Sequence, residues 1–407
     1  MRISSHHLII LGFTVSTLAV LAFFVEPFDP DIYCCDHLYY RGQAEFWSGL
    51  GAANMGDISQ ANRFWGVIEN KETYYQLANG LTAQPPYVFR PLVPLLAGFL
   101  GHIVGINASF YIITLISLFS LSYLSGLAVL KLSKSLWLSL SVAVGVILLP
   151  DISGGYLYNY MLVDVASFAL VALVLYLVIT RHWISAGVVS AVAAPLTKET
   201  LVTLALTVAI AAFLSGVRSR WLWVLPVIPI LIQGVLRLSL TIPSPPPFNE
   251  LYIPGDQIRP AVTLMLSFVA VSFLFYGLFS QKVRLTLIAF TPLFLLLVVI
   301  TSSSAADSPR IWLTVWPVVA VLGAVGLQGF LQDSPTRFLW IPIPAMALAW
   351  LYFGLNFHAN NQIIYFFLSY GLILFPPILI GLQYLWNQNK SVESSRHAAL
   401  AADEKSE

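Results

Sequence analysis

An all-α, polytopic integral membrane protein is the fold class this sequence predicts, on three observations. Of 407 residues, 58% are hydrophobic and only 10% are charged, whereas soluble domains carry roughly 25% charged residues. The apolar residues fall in runs of roughly 16 to 24, the length at which a helix crosses a hydrocarbon core. The period-2 alternation that a membrane barrel needs is absent, which leaves helices, whose backbone groups satisfy one another, as the spanning structure. The expected architecture is about 12 transmembrane helices, plus interfacial or re-entrant helices in the first outer loop. They form a single transmembrane domain over 1–386, followed by a disordered cytoplasmic tail over 387–407.

Taken in order, Leu8 to Val25 follows Arg2 and two histidines and reads as a retained first span, because no small-x-small cleavage site precedes Glu26-Pro27. The stretch from 26 to 90 is the long polar one. It is too rich in acids and aromatics for a simple connector and is read as the first extracytoplasmic loop. Within it Tyr39, Gln43, Phe46, Trp47 and Leu50 share a face at helical spacing, which suits a helix lying in the membrane interface. Asn54 to Asp57 interrupts it, and Ile58 to Ile68 suits a second short helix. Gln84-Pro85-Pro86 breaks the chain again. Pro91 to Ile106 is apolar but short; if it crossed, Lys131, Lys134 and every later basic cluster would face outward. The positive-inside rule therefore makes it re-entrant or interfacial.

Further crossings are expected near 109–130, 135–150, 161–180, 183–197, 200–217, 221–240, 261–280, 285–302, 311–331, 338–354 and 363–386. With the first span they put both termini in the cytoplasm of a cell whose inner (plasma) membrane holds the chain. Arg181, Arg218, Arg220, Lys282, Arg284, Arg337 and Lys390 then all face inward. Spans 183–197 and 200–217 are short and joined almost without a loop. Together they make about 50 Å of helix, too long for one crossing, so a tight turn is expected at Pro195 to Thr200. No internal repeat and no soluble domain is evident. A net charge of +1 with no basic stripe gives no reason to expect nucleic acid as a partner, and membrane lipids are the expected surroundings.

On this path most of the 19 Asp and Glu lie on or near the outer face and most of the 20 Lys and Arg on the inner. The exceptions carry the information. Arg41, Arg90, Lys198 and Arg310 fall on the acidic outer side, beside Asp36, Asp164, Glu199 and Asp307. Both signs of charge gathered at one face suit the handling of a polar substrate there.

The segment from Phe28 through Asp29, Asp31, Cys34, Cys35 and Asp36 to Tyr39-Tyr40 sits just past the first span, where a carboxylate meets water and membrane together. Such a carboxylate can take the proton from an attacking hydroxyl. Asp36 equally suits the cap of a helix beginning near Leu38, and Asp29 and Asp31 suit a proline-flanked turn. The adjacent cysteines read as two thiols, or as a strained vicinal disulfide, without zinc or redox spacing. Arg90, in Tyr87-Val88-Phe89-Arg90-Pro91, has the fork that binds phosphate bidentately, or it snorkels to lipid headgroups. Asp164 lies just inside the outer end of its span. Lys198 and Glu199 occupy the turn of the helix pair, where they either pair with each other or serve a substrate, Lys198 as a phosphate contact. Arg310, after Asp307, is a further candidate for stabilising a leaving phosphate. His102 and His358 are isolated, and no metal or other cofactor is expected.

The layout resembles the GT-C class of membrane glycosyltransferases: a first span, a long outer loop with interfacial helices and an acidic residue, then many spans. The residues that carry the likeness are Asp36-His37-Leu38-Tyr39-Tyr40 with Ala44, the run Tyr87 to Leu96 with its Tyr-x-x-Arg-x-x-x-Pro-Leu-Leu pattern, Thr197-Lys198-Glu199-Thr200, and Asp307 with Arg310. These short motifs span roughly residues 8 to 320. The class's usual Asp-Glu or Asp-x-Asp context is missing; Asp29-Pro30-Asp31 comes nearest, which leaves the base open among Asp29, Asp31 and Asp36. The resemblance implies an inverting transfer of a sugar from a polyprenyl-phosphate carrier to a glycan, lipid or protein acceptor at the outer face. Asp36 would be the base, Arg90, Lys198 and Arg310 would steady the departing phosphate, and Glu199, Asp164 and Tyr40 would stand among the substrate-site residues. An O-antigen-type polymerase or ligase usually carries a large late loop, and the late loops here are short. A transporter or flippase of lipid-linked saccharide predicts inverted repeats and midplane charges.

Overall fold

The structure, a computed structural model, describes residues 5–25, 27, 33–49, 67–68, 89–148, 152, 156–239, 281–303 and 313–333. Asp29, Asp31, Asp307, Arg310, the expected spans at 261–280, 338–354 and 363–386, and the tail 387–407 lie outside the described residues. The described chain is helical apart from one two-residue strand pair. In order come α1 (Ser5–Phe24), β1 (Tyr33–Cys34), α2 (Cys35–Ser48), β2 (Val67–Ile68), α3 (Leu92–Val104), α4 (Ile106–Ser133), α5 (Leu136–Ile147) and α6 (Asp164–Ile179). A helical hairpin follows, then α10 (Trp221–Val224), α11 (Val227–Ser239), α12 (Gln281–Ser303) and α13 (Trp316–Asp333). Among the described residues three helical stretches are long and apolar enough to cross a membrane: Ser5–Phe24, Ile106–Ser133 and Trp221–Leu238. Seven more apolar helices of 10–17 residues accompany them.

Lipid-type packing explains how these helices associate. In α1 only Ile10, Thr14 and Leu18 are buried, one stripe at a spacing of four, while Leu8, Phe13, Val20 and Phe23 are exposed. That stripe meets α4 and α5 through small and hydroxylated residues. Thr14 and Ser122 share a hydrogen bond at 3.1 Å, and the Ser122 hydroxyl donates to the Ala143 carbonyl at 2.7 Å. A Cβ on Gly126 would stand 3.0 Å from Ala143 Cβ, 3.1 Å from Ile10 and 3.2 Å from the Ser139 carbonyl. Small residues that let backbones approach, with hydroxyls bonded across helices, are what holds helices together where lipid is as apolar as the side chains.

The hairpin is built from α7 (Trp183–Val188), a π turn (Val189–Ala193), α8 (Ala194–Thr197), a 3₁₀ turn (Glu199–Thr203) and α9 (Leu204–Leu214), with α9 folding back on α7. The turn expected between Pro195 and Thr200 is a single extended residue, Lys198, at φ −156° and ψ 131°.

One local expectation gives way. Val67 and Ile68 do not end a helix; they pair antiparallel with Cys34 and Tyr33. In helix α2 every residue from Tyr39 to Glu45 is buried, more than a full turn of helix, while Trp47 near its end is exposed. The helix is enclosed on one side by α3, where a Cβ on Gly98 would stand 2.8 Å from the Ala44 carbonyl. Helix α3 itself, 13 residues, is about 20 Å long against a core of about 30 Å. Thr114, in the third turn of α4, donates to the Tyr160 carbonyl just ahead of α6 at 2.7 Å. Helix α4 therefore enters the bundle at the end where α6 begins.

Candidate functional site

Four separate stretches of chain bring charges to that end. The break at Lys198 is the organising feature. Pro195 lies near the end of the continuous helical run Trp183–Thr197, directly after the π turn, and offers no N–H to the ladder there. The Lys198 N–H still bonds the Ala194 carbonyl at 3.0 Å. The extended Lys198 then stops the helical ladder, so the Pro195 carbonyl has no helical partner, the usual state of a helix end. Gln233 of α11 supplies one: its Nε2 donates to the Pro195 carbonyl at 2.6 Å and to the Phe89 carbonyl at 3.3 Å. The two carbonyls fix which end of the amide faces them, and Gln233 Oε1 is left buried without a partner. Gln233 thus ties the residue before Arg90 to the turn before Lys198.

The extended conformation also sends Lys198 and Glu199 to different partners. Lys198 Nζ lies 2.5 Å from Asp164 Oδ1, with side chains 4% and 0% exposed. Asp164 is the first residue of α6, where a negative charge is favoured by the helix dipole. Glu199 pairs with Arg90 as a two-pronged fork, Nε to Oε2 at 2.7 Å and Nη2 to Oε1 at 2.5 Å. The third arm of Arg90, Nη1, donates to the Tyr40 hydroxyl at 2.9 Å. Burial opposes the charge on Arg90, yet Glu199 and Tyr40 outweigh it and hold the guanidinium pKa above its ordinary value. The simple ion pair between neighbours Lys198 and Glu199 is therefore not formed; each charge instead ties the turn to a different helix. Around the fork, Tyr40, Ala44, Val93, Ala97, Phe110 and Tyr160 form a packed apolar cluster.

Of the residues singled out in the sequence, Arg90, Glu199, Tyr40, Lys198 and Asp164 are joined in this one assembly. Helix α2 begins at Cys35, so Asp36 occupies its first turn and is not the cap of a helix starting near Leu38. Its backbone position is one helical turn before Tyr40, and residues four apart share a helix face. On α2 itself Arg41 pairs with Glu45 at 3.1 Å, linking consecutive turns. Among the described residues no group of three His, Cys, Asp or Glu gathers into a metal site. Gln233 was missed in the sequence; its signal is an amide inside an otherwise apolar span, which needs a partner there.

Chemically, the assembly presents two cations, each already balanced by a carboxylate, at the junction of buried helices. Taking one partner from such a pair leaves an uncompensated buried charge. A site of this kind holds a second anion only by sharing or replacing the carboxylate. Comparison with known proteins finds no matching family model, no matching curated sequence and no matching solved structure.

Proposed function

We propose that the chain is a membrane glycosyltransferase that moves a sugar from a polyprenyl-phosphate carrier to a glycan, lipid or protein acceptor at the extracytoplasmic face. It does so as a multi-pass protein of the inner (plasma) membrane, with about 12 spans and both termini cytoplasmic. The observation that carries this reading is the convergence of Arg90, Glu199, Tyr40, Lys198 and Asp164 at one end of the bundle, beside the helix that holds Asp36.

In the proposed step an acceptor hydroxyl attacks the anomeric carbon from the face opposite the phosphate. The proton passes to the base carboxylate, Asp36 or one of Asp29 and Asp31, as the new C–O bond forms. The bond from the anomeric carbon to the phosphate oxygen breaks, its electron pair leaves with the lipid phosphate, and the configuration inverts. Fixed cations at a water-poor end of the bundle stabilise the negative charge that gathers on that oxygen. Asp164 and Glu199 hold Lys198 and Arg90 in place between turnovers. The polymerase or ligase and the flippase remain the competing readings, and the same experiment separates them.

That experiment is transfer by purified protein from a radiolabelled polyprenyl-phosphate sugar. The amide of Asp36→Asn cannot take a proton, so turnover should fall by about 10²- to 10⁴-fold, the span of general base catalysis, with donor binding kept. If Asp29→Asn or Asp31→Asn has that effect instead, the base moves and the class stands. If none of the three matters, the glycosyltransferase reading is wrong.

A further inference from the structure

Every other described cation at the charged end is balanced by a carboxylate: Arg41 by Glu45, Arg90 by Glu199 and Lys198 by Asp164. Arg237 is not. It lies in the last turn of α11, exposed, and among the described residues it pairs with no carboxylate. Its guanidinium carbon stands 4.8 Å from the centroid of the Phe89 ring. Gln233, one turn earlier on α11, grips the backbone carbonyl of the same Phe89. One face of α11 thus holds the residue before Arg90 twice, by its backbone and by its ring. The ring in turn gives Arg237 a fixed seat beside the ion-paired assembly.

The surroundings describe what such a cation meets. Trp221–Leu238 is one of the stretches able to cross a membrane, so Arg237 stands at the end of its apolar length. Along that length Ile230, Leu231 and Val235 are exposed. An anion that reaches Arg237 from the membrane therefore brings an apolar chain that can lie along this face. A guanidinium stacked on a ring keeps its N–H edges free for two parallel bonds to phosphate oxygens.

We propose that Arg237 is the first contact for the phosphate of the lipid-linked donor, while Arg90 and Lys198, already balanced, act deeper in the site. This deepens the glycosyltransferase reading and rests on it for the identity of the donor. The bland role for Arg237 is a headgroup anchor, and the molecule carries its own control. At the other end of the described bundle Arg218 lies 4.5 Å from the Phe213 ring centroid, also exposed, with no ion-paired assembly near it in sequence.

The test measures binding of a short-chain polyprenyl phosphate, with no acceptor present, to the full-length protein in nanodiscs of zwitterionic phosphatidylcholine. Arg237→Gln should bind about 10- to 100-fold more weakly, the loss expected for a charge-assisted bond. Arg218→Gln should bind as wild type does, and both variants should unfold at the wild-type temperature because both sites are exposed. Inorganic phosphate and the anionic lipid phosphatidylglycerol should each compete poorly. A loss below about fivefold for Arg237→Gln, an equal loss for Arg218→Gln, or equal competition by phosphate or phosphatidylglycerol overturns the proposal. Because binding is read without transfer, a protein that binds through Arg237 yet moves no sugar keeps this site and loses the glycosyltransferase reading. A protein in which Arg237→Gln binds the donor as wild type does while sugar transfer is observed does the reverse.

Discussion

The two ends of the described bundle carry similar cations in opposite circumstances. At one end Arg90 and Lys198 are buried and each is matched by a carboxylate from a distant part of the chain, 109 and 34 residues away. At the other, Lys131 and Lys134 close α4, Arg181 follows α6, and Arg218 and Arg220 precede α10, all of them exposed and none in a described ion pair. The exposed set costs the fold nothing in desolvation and suits the cytoplasmic surface of a membrane protein. The buried set is expensive to place and persists only because geometry pairs it. It is a charge arrangement that a membrane anchor does not need.

The contrast breaks most sharply under substitution of one partner. Lys198→Ala removes the cation that balances the wholly buried Asp164 carboxylate, a loss of about 3–5 kcal/mol for a buried pair. Donor binding should fall with it if Lys198 also faces the phosphate. Lys131→Ala at the exposed end should stay within about 0.5 kcal/mol of wild type. Thermal unfolding of the purified protein in detergent reads both. Similar shifts at the two ends would show that the paired charges are no more than surface decoration.

A smaller effect tests the cross-brace. Gln233→Ala removes the donor shared by the Phe89 and Pro195 carbonyls, so about 1–3 kcal/mol of stability should go with the newly unpaired buried acceptors. Gln233→Met should not restore it, since a thioether offers no proton to either carbonyl. Equal stability of wild type and Gln233→Ala would mean that the two carbonyls do not depend on α11.

Much of this was legible in the residues. The apolar runs near 109–130, 161–180 and 221–240 become helices within a few residues of those limits, because length and hydropathy dictate a self-satisfied backbone in lipid. The break near Pro195 was legible too, since two short apolar runs cannot form one crossing. The charges of the site were visible as charges where a bilayer penalises them. Their partners were not. Local spacing suggests that Lys198 meets Glu199, whereas one extended residue separates them and the choice of Asp164 and Arg90 is made by tertiary packing. Tyr40 was one aromatic among several in an acidic segment, and nothing local told that its hydroxyl would meet Arg90. Helix α2 has an amphipathic sequence, yet its middle turns, Tyr39 to Glu45, are buried throughout while Trp47 is exposed. The strand at Val67 and Ile68 was hidden because its partner, Tyr33–Cys34, lies across a long loop.

The central claim is that the ion-paired end faces away from the cytoplasm and the exposed basic end faces it, and sidedness tests that directly. Reporter fusions after Val25 and within 249–256 should read as extracytoplasmic, while fusions at Arg218 and Lys282 should read as cytoplasmic. A cytoplasmic signal from the 26–90 loop would contradict the account, because Asp36, Arg90 and the whole paired assembly would then face the compartment opposite to the proposed donor and acceptor.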